Sequence, residues 1–330
     1  MNCDIWICAG NLFIPGKPDK KTILEAIIKS EKAYSGENID ITEMQKLRKY
    51  RRNDRFSIIS ELGMEEMKDF FSGEDDNRDI ATVFSTFFGP ISTNILFIKS
   101  IYDESSVPSP TVFSHTVNNA ALGHLCKDYG LKGPSTLLLS GNPIGVAAKL
   151  LTTGKAEKAL VQGVEEYSEN LQEIYRKKQI AVNEALSRVI LSGKKEKGTK
   201  SKLVVSRQTN VWGHPLYDIA NICLSEIARS IIKAAEDFCE PEMIDFVLIN
   251  SFDDKIIEVQ RKAVKEAYKN SKIINLYESL GTVLGADLCS QLVVADLLIK
   301  EGHVTMGHYC MINSLDISGN YVTCLVREEA

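Results

Sequence analysis

The stretch from Thr136 to Gln162 constrains the fold more than any other. Thr136-Leu-Leu-Leu139 is a wholly apolar strand candidate, followed by Ser140-Gly-Asn-Pro143 and a segment with small residues at Gly145, Ala147 and Ala148. Asn is a good helix N-cap and Pro suits the first helical position. A helix therefore starts at this elbow and runs to the Thr152-Thr-Gly154 stop. A second strand, Lys158 to Gln162, follows. Strand, helix, strand is the order of a layered α/β fold. An apolar strand of this kind is expected to be buried on both faces. The helix is expected to be buried on most sides, with Asn142 accepting its free N–H groups.

Other elements follow from periodicity. Ile5 to Ala9 and Ile80 to Ser85 read as strands, and Lys21 to Glu31 and Asn118 to Tyr129 as helices. Phe56 to Phe71 carries one broad apolar face at helical spacing. Leu203–Ser206, Phe246–Asn250, His308–Ile312 and Tyr321–Val326 are strand candidates; Cys223–Glu236 and Ala286–Lys300 are helix candidates. Ala148-Lys-Leu-Leu-Thr-Thr-Gly-Lys-Ala compares with Ala295-Asp-Leu-Leu-Ile-Lys-Glu-Gly-His-Val, each a helix end at Gly before a strand. This weak duplication predicts two similar halves, 1–165 and 166–330, in one unit. The charge run from Lys194 to Lys202 reads as an exposed loop between halves.

Charge and composition remove several classes. The formal net charge of −5 argues against nucleic acid, whose partners usually carry a basic surface. No apolar run approaches the roughly 18 residues that cross a bilayer, so no membrane span is expected. Eight cysteines are scattered without C-x-x-C spacing, which predicts reduced thiols in a cytoplasmic protein and no metal site. No cofactor is expected. The one strongly basic stretch, residues 45–55, is either a solvated surface or a dock for acidic groups.

Ordered blocks carry a family likeness. They are Ser109-Pro-Thr-Val-Phe113 with Asn118 and Gly123-His124, then Tyr129-Gly-Leu-Lys-Gly-Pro134, and the elbow. Asn183-Glu-Ala-Leu-Ser-Arg-Val-Ile-Leu191, Ile244-Asp-Phe-Val-Leu-Ile-Asn-Ser251, Leu280-Gly-Thr-Val-Leu-Gly-Ala286 and Ile312-Asn-Ser-Leu-Asp-Ile-Ser-Gly-Asn320 follow. Together they resemble the β-ketoacyl synthase family of condensing enzymes. The last block is similar to that family's N-S-F-G-F-G-G-x-N loop. The resemblance implies an α/β thiolase-like layered fold with two pseudo-equivalent halves. It also implies a dimer through the strand that leads to the elbow, with Phe113, Val117, Asn118 and Leu138 at the contact.

A member active in condensation needs a thiolate at the elbow, activated by the helix N-terminus, and two imidazoles where charge develops on the thioester oxygen. It also needs a lysine in the shell of the second imidazole. In this chain the matching positions carry other residues. The elbow is Ser140-Gly-Asn142-Pro, about five residues short of the usual cysteine loop, and no cysteine lies between Cys126 and Cys223. The imidazole positions match Asn250 and Thr282, and the lysine position falls near Tyr277. The resemblance therefore implies a non-catalytic subunit like a chain-length factor, paired with an active ketosynthase or with itself, with an acyl carrier protein as a further partner. Two alternatives stand beside it. One is a divergent acyltransferase or synthase using Ser140; the other is an acyl-thioester-binding protein.

Single polar residues have plainer readings. Ser140 needs a base that the sequence does not supply. Asn142 is a cap. His115 and His124 are structural histidines of the dimer-contact region. His214 and His308 are candidates to flank a cavity.

Overall fold

The strand order is the same from either edge of the sheet once five is added to each number. The computed structural model describes residues 4–16, 18–35, 38–71, 79–103, 105, 107–213 and 219–329. Its first five strands are β1 (Ile5–Phe13), β2 (Ile80–Ser85), β3 (Ser135–Leu138), β4 (Lys158–Glu165) and β5 (Ala185–Ser192). The second five are β6 (Ser201–Asn210), β7 (Ile244–Asn250), β8 (Lys272–Asn275), β9 (Tyr309–Leu315) and β10 (Asn320–Glu328). The order is β3-β2-β4-β5-β1-β6-β10-β9-β7-β8. Pairing directions repeat as well. β2 runs parallel to β3 and β4, as β7 does to β8 and β9. β4–β5 and β5–β1 are antiparallel, and so are β9–β10 and β10–β6. The halves meet where Ile5, Trp6 and Ile7 pair with Leu203, Lys202 and Ser201. The charge run links β5 to β6, and Lys194, Lys195 and Lys197 are exposed there. Strand order thus divides the chain at that loop. β5, beyond residue 165, completes the first five.

Two helices hold equivalent places, one after each edge strand. The elbow helix is Pro143–Thr152 and the central helix is Asp287–Lys300. The central helix is apolar around nearly its whole circumference, which only an enclosed position tolerates. Every residue from Asp287 to Ile299 is buried. It packs on β1, β4 and β5 from one half and on β6, β7, β9 and β10 from the other. The elbow helix is less enclosed than its sequence predicts. Pro143, Ile144, Ala147 and Leu151 are buried against β2, β4 and β6, whereas Lys149 and Thr152 face solvent.

Two local expectations are corrected. β3 is not buried on both faces. It is the last strand of the sheet, bonded only to β2, so its outer edge lacks a neighbour. Thr136 to Leu138 are half-buried and Leu139 is 48% exposed. The segment Phe56–Phe71 is not one helix. Its helix ends at Glu61, the chain turns at Gly63 (φ +72°), and a 3₁₀ segment covers Met64–Phe70.

Apolar side chains also lie open in the half of the chain that holds β3. The helices Ile91–Tyr102 and Pro110–Ser114 pack through Phe97 on Phe113, with ring centroids 5.2 Å apart. Leu96, Ile98, Ile101 and Tyr102 are exposed, as are Phe113 and Val117. Asn118 is half-buried, its side chain packed on the turn at Gly89. No helix among the described residues is long and apolar enough to cross a membrane.

Candidate functional site

The elbow is built as its sequence dictates and then committed elsewhere. Asn142 Oδ1 accepts the N–H of Gly145 at 2.7 Å, capping the helix that Pro143 starts. The Asn142 amide donates to Ser206 Oγ on β6 at 2.8 Å, so the cap also ties the two halves. Gly141 adopts φ +96°, which lets the chain turn from β3 into the helix. Its N–H donates to Asp316 Oδ2 at 2.8 Å. Asp316 belongs to the turn between β9 and β10. Its Oδ1 accepts the N–H groups of Ser318 and Asn320 at 2.8 and 2.9 Å. Asn320 Nδ2 donates to Asp316 Oδ2 at 2.9 Å and reaches Ser140 Oγ at 3.4 Å.

Ser140, Asn250 and Thr282 line one cavity, together with Asp287, Ser314 and Asp316. Its volume is about 50 Å³, room for a water or two. Asn250 ends β7 and donates to Asp287 Oδ1, leaving its own Oδ1 buried without a partner. Asp287 opens the central helix. It accepts Ser314 Oγ at 2.7 Å and Gln291 Nε2 at 3.0 Å. Burial pushes its carboxyl up to about 6, against the pull of these donors.

A second buried carboxylate holds the cavity wall together. Glu165 accepts the N–H groups of Phe87, Phe88 and Gly285 at 2.7, 2.9 and 3.0 Å. It therefore clasps the turn after β2 to the loop before the central helix. Those backbones touch so closely that a Cβ at Gly285 would lie 2.5 Å from Thr86 Cα. Desolvation raises the Glu165 carboxyl to about 7, and the three N–H groups oppose it.

Solved structures share this architecture across the whole chain. The ishigamide ketosynthase/chain length factor matches with TM-score 0.81 at 13% identity, covering 99% of this chain and 100% of that one. AntDE:AntF, a type II PKS acyl-carrier protein in complex with its ketosynthase, matches with TM-score 0.80 at 18% identity, covering 99% and 100%. The ketosynthase ApeO in complex with its chain length factor ApeC, from Xenorhabdus doucetiae, matches with TM-score 0.75 at 14% identity, covering 98% of each. The fold is the thiolase-like fold of the ketosynthases. No family model and no curated protein matches the sequence.

Within this ketosynthase fold the residues singled out by sequence separate into two groups. Ser140, Asn250 and Thr282 converge on the cavity although they come from three distant blocks. Asn142 and Tyr277 do not line it. Asn142 is spent as a cap, and Tyr277 sits behind Phe252 with ring centroids 6.0 Å apart, its hydroxyl accepting the Ala181 N–H at 3.0 Å. No Cys, His or Lys is among the cavity-lining residues. Neither Asp287 nor Asp316 hydrogen-bonds Ser140 Oγ, so among the described contacts this hydroxyl has no base.

The histidines lie elsewhere. His308 is not at the cavity; it pairs with Asp245 at 2.8 Å. His115 is buried, 3.4 Å from Asp54, and stacks on His124. His214 lies outside the described residues. The basic stretch divides by role. Tyr50 is buried and donates to Glu61 at 2.9 Å, with Lys49 3.6 Å from the same carboxylate. Arg48, Arg51 and Arg52 remain exposed around a surface hollow.

Sequence reasoning missed Asp287, Asp316 and Glu165. A signal existed for one of them: Asp316 interrupts the closing loop where the resembling pattern has glycine. Asp287 and Glu165 carry no such mark, because apart from Gln291 their partners lie 27 to 120 residues away in the chain.

Proposed function

We propose that the chain is a non-catalytic ketosynthase-like subunit of a type II fatty-acid or polyketide synthase, pairing with an active β-ketoacyl synthase in the manner of a chain-length factor. The observation that carries this reading is the cavity itself. The three positions that would hold the thiol and two imidazoles stand together, and they are Ser140, Asn250 and Thr282. Ser and Asn hydrogen-bond a carbonyl, yet they do not supply a thiolate or the imidazole chemistry of decarboxylation. The reading that Ser140 is a nucleophile lacks a base in the same geometry.

The partner face would be the β3 edge with the exposed apolar residues of the neighbouring helices, including Phe113 and Val117. An unpaired strand edge and open apolar side chains are both features that a permanent partner covers. Obligate interfaces of this sort bury about 2,000 Å² or more. An acyl carrier protein would meet the rim formed by Arg48, Arg51 and Arg52, whose charge suits an acidic surface. Two measurements test the proposal. Co-expression with an active type II ketosynthase should give a stable one-to-one complex. Incubation of this chain alone with acyl-carrier protein should leave its intact mass unchanged. A stoichiometric acyl adduct that disappears in Ser140→Ala would overturn the non-catalytic reading.

A further inference from the structure

We propose that Asp316 is a built-in occupant of the elbow, a carboxylate that holds the Gly141 N–H where an acyl carbonyl would bind and so excludes acyl thioesters from this corner. The inference rests on reading the corner as a vestigial acyl site. A backbone N–H beside position 140, at the mouth of a helix N-terminus, is the donor that a carbonyl oxygen presented to this elbow would take. Here that donor already has an acceptor 175 residues away in sequence.

The two oxygens of Asp316 do separate jobs. Oδ1 accepts from Ser318 N and Asn320 N, which closes the β9–β10 turn locally. Oδ2 has no part in that turn's backbone. It accepts from Gly141 N at 2.8 Å and Asn320 Nδ2 at 2.9 Å. The same Asn320 amide faces Ser140 Oγ, and its oxygen accepts from Gln208 Nε2 at 2.8 Å. One loop of the second half therefore engages both the hydroxyl and the backbone donor of the elbow. A carboxylate is a stronger acceptor than a neutral thioester oxygen, and an intramolecular one needs no recruitment. Its charge also opposes the carboxylate of a malonyl group.

The experiment uses Asp316→Ala and Asp316→Asn in the full chain, alone and with the partner ketosynthase. Hydrogen exchange at the Gly141 amide is read with and without excess formate at constant ionic strength. Asp316→Ala should lose protection at Gly141 by about tenfold or more, the scale of one charge-assisted hydrogen bond. Formate should restore that protection and raise the melting temperature of the variant, with no such effect on wild type. Asp316→Asn keeps an acceptor for the turn but no longer offers a carboxylate oxygen to Gly141. It should hold the fold while exchanging faster at Gly141, which covers the case in which the Ala variant does not fold. Unchanged Gly141 protection in the Asn variant, or an Ala variant that formate does not restore beyond a chloride control, would sink the proposal. Acylation of wild-type Ser140 would sink both this exclusion and the non-catalytic reading, whereas unchanged Gly141 exchange in the variants sinks the exclusion alone, so the two failures are told apart.

Discussion

Asn142 and Ser206 are joined by a 2.8 Å hydrogen bond between the elbow and β6, made by the same side chain that caps the elbow helix at Gly145. One residue thus closes a helix end and a seam between the two halves. Asn142→Ala should destabilise the chain by about 1–2 kcal/mol, from loss of the cap and the Ser206 contact together. Urea unfolding measures this. Activity of a partner ketosynthase in the complex should survive. Unchanged stability with lost activity would mean that this corner still takes part in chemistry.

Association should depend on the β3 edge and on the exposed apolar side chains Phe113 and Val117. Val117 is 50% exposed in the single chain, so Val117→Asp should cost the isolated fold little. The same charge buried in an interface without a partner is strongly unfavourable. Sedimentation equilibrium should show the pair with ketosynthase dissociating in Val117→Asp, and in Leu138→Asp at the strand edge. Wild-type affinity in both variants would place the interface elsewhere.

Stability should fall between about pH 4.5 and 8 because of Glu166. Its carboxylate is buried and faces Ser92 without closing a hydrogen bond of normal geometry on it. Burial pushes the group from 4.5 up to about 8; Asp54 and Glu184 add to the rise, and Arg55 opposes it. A carboxyl raised on folding holds its proton more tightly in the folded chain. Its contribution is complete below about pH 4.5 and is lost as pH climbs through about 8. Glu166→Gln should therefore be more resistant to denaturant than wild type above that pH. Parallel pH profiles for the two proteins would refute the assignment.

Carrier-protein binding should be electrostatic. Charge reversal at Arg51 and Arg52 should weaken binding of acyl-carrier protein to the complex and flatten its salt dependence, as read by titration calorimetry across ionic strengths. The paired double variant at Lys255 and Lys262, on the helix Asp254–Ala267, is the control and should bind normally. Equal losses from both would mean that net charge, not this rim, governs binding.

The sequence by itself determined the element types, the elbow and its cap, and the absence of a cysteine, because these depend on a few adjacent residues. Asn142-Pro143 starts a helix whatever surrounds it, and the apolar run after Asp287 must be enclosed. Block order was enough to expect the ketosynthase fold. Tertiary structure alone decided that β3 is only half-buried in the single chain, since an apolar run does not record how much of it the neighbouring elements cover. It alone brought Ser140, Asn250 and Thr282 to one cavity and set Asp316 on Gly141. Such contacts span 32 to 175 residues and arise from the packing of the two halves around the central helix. No local propensity encodes them.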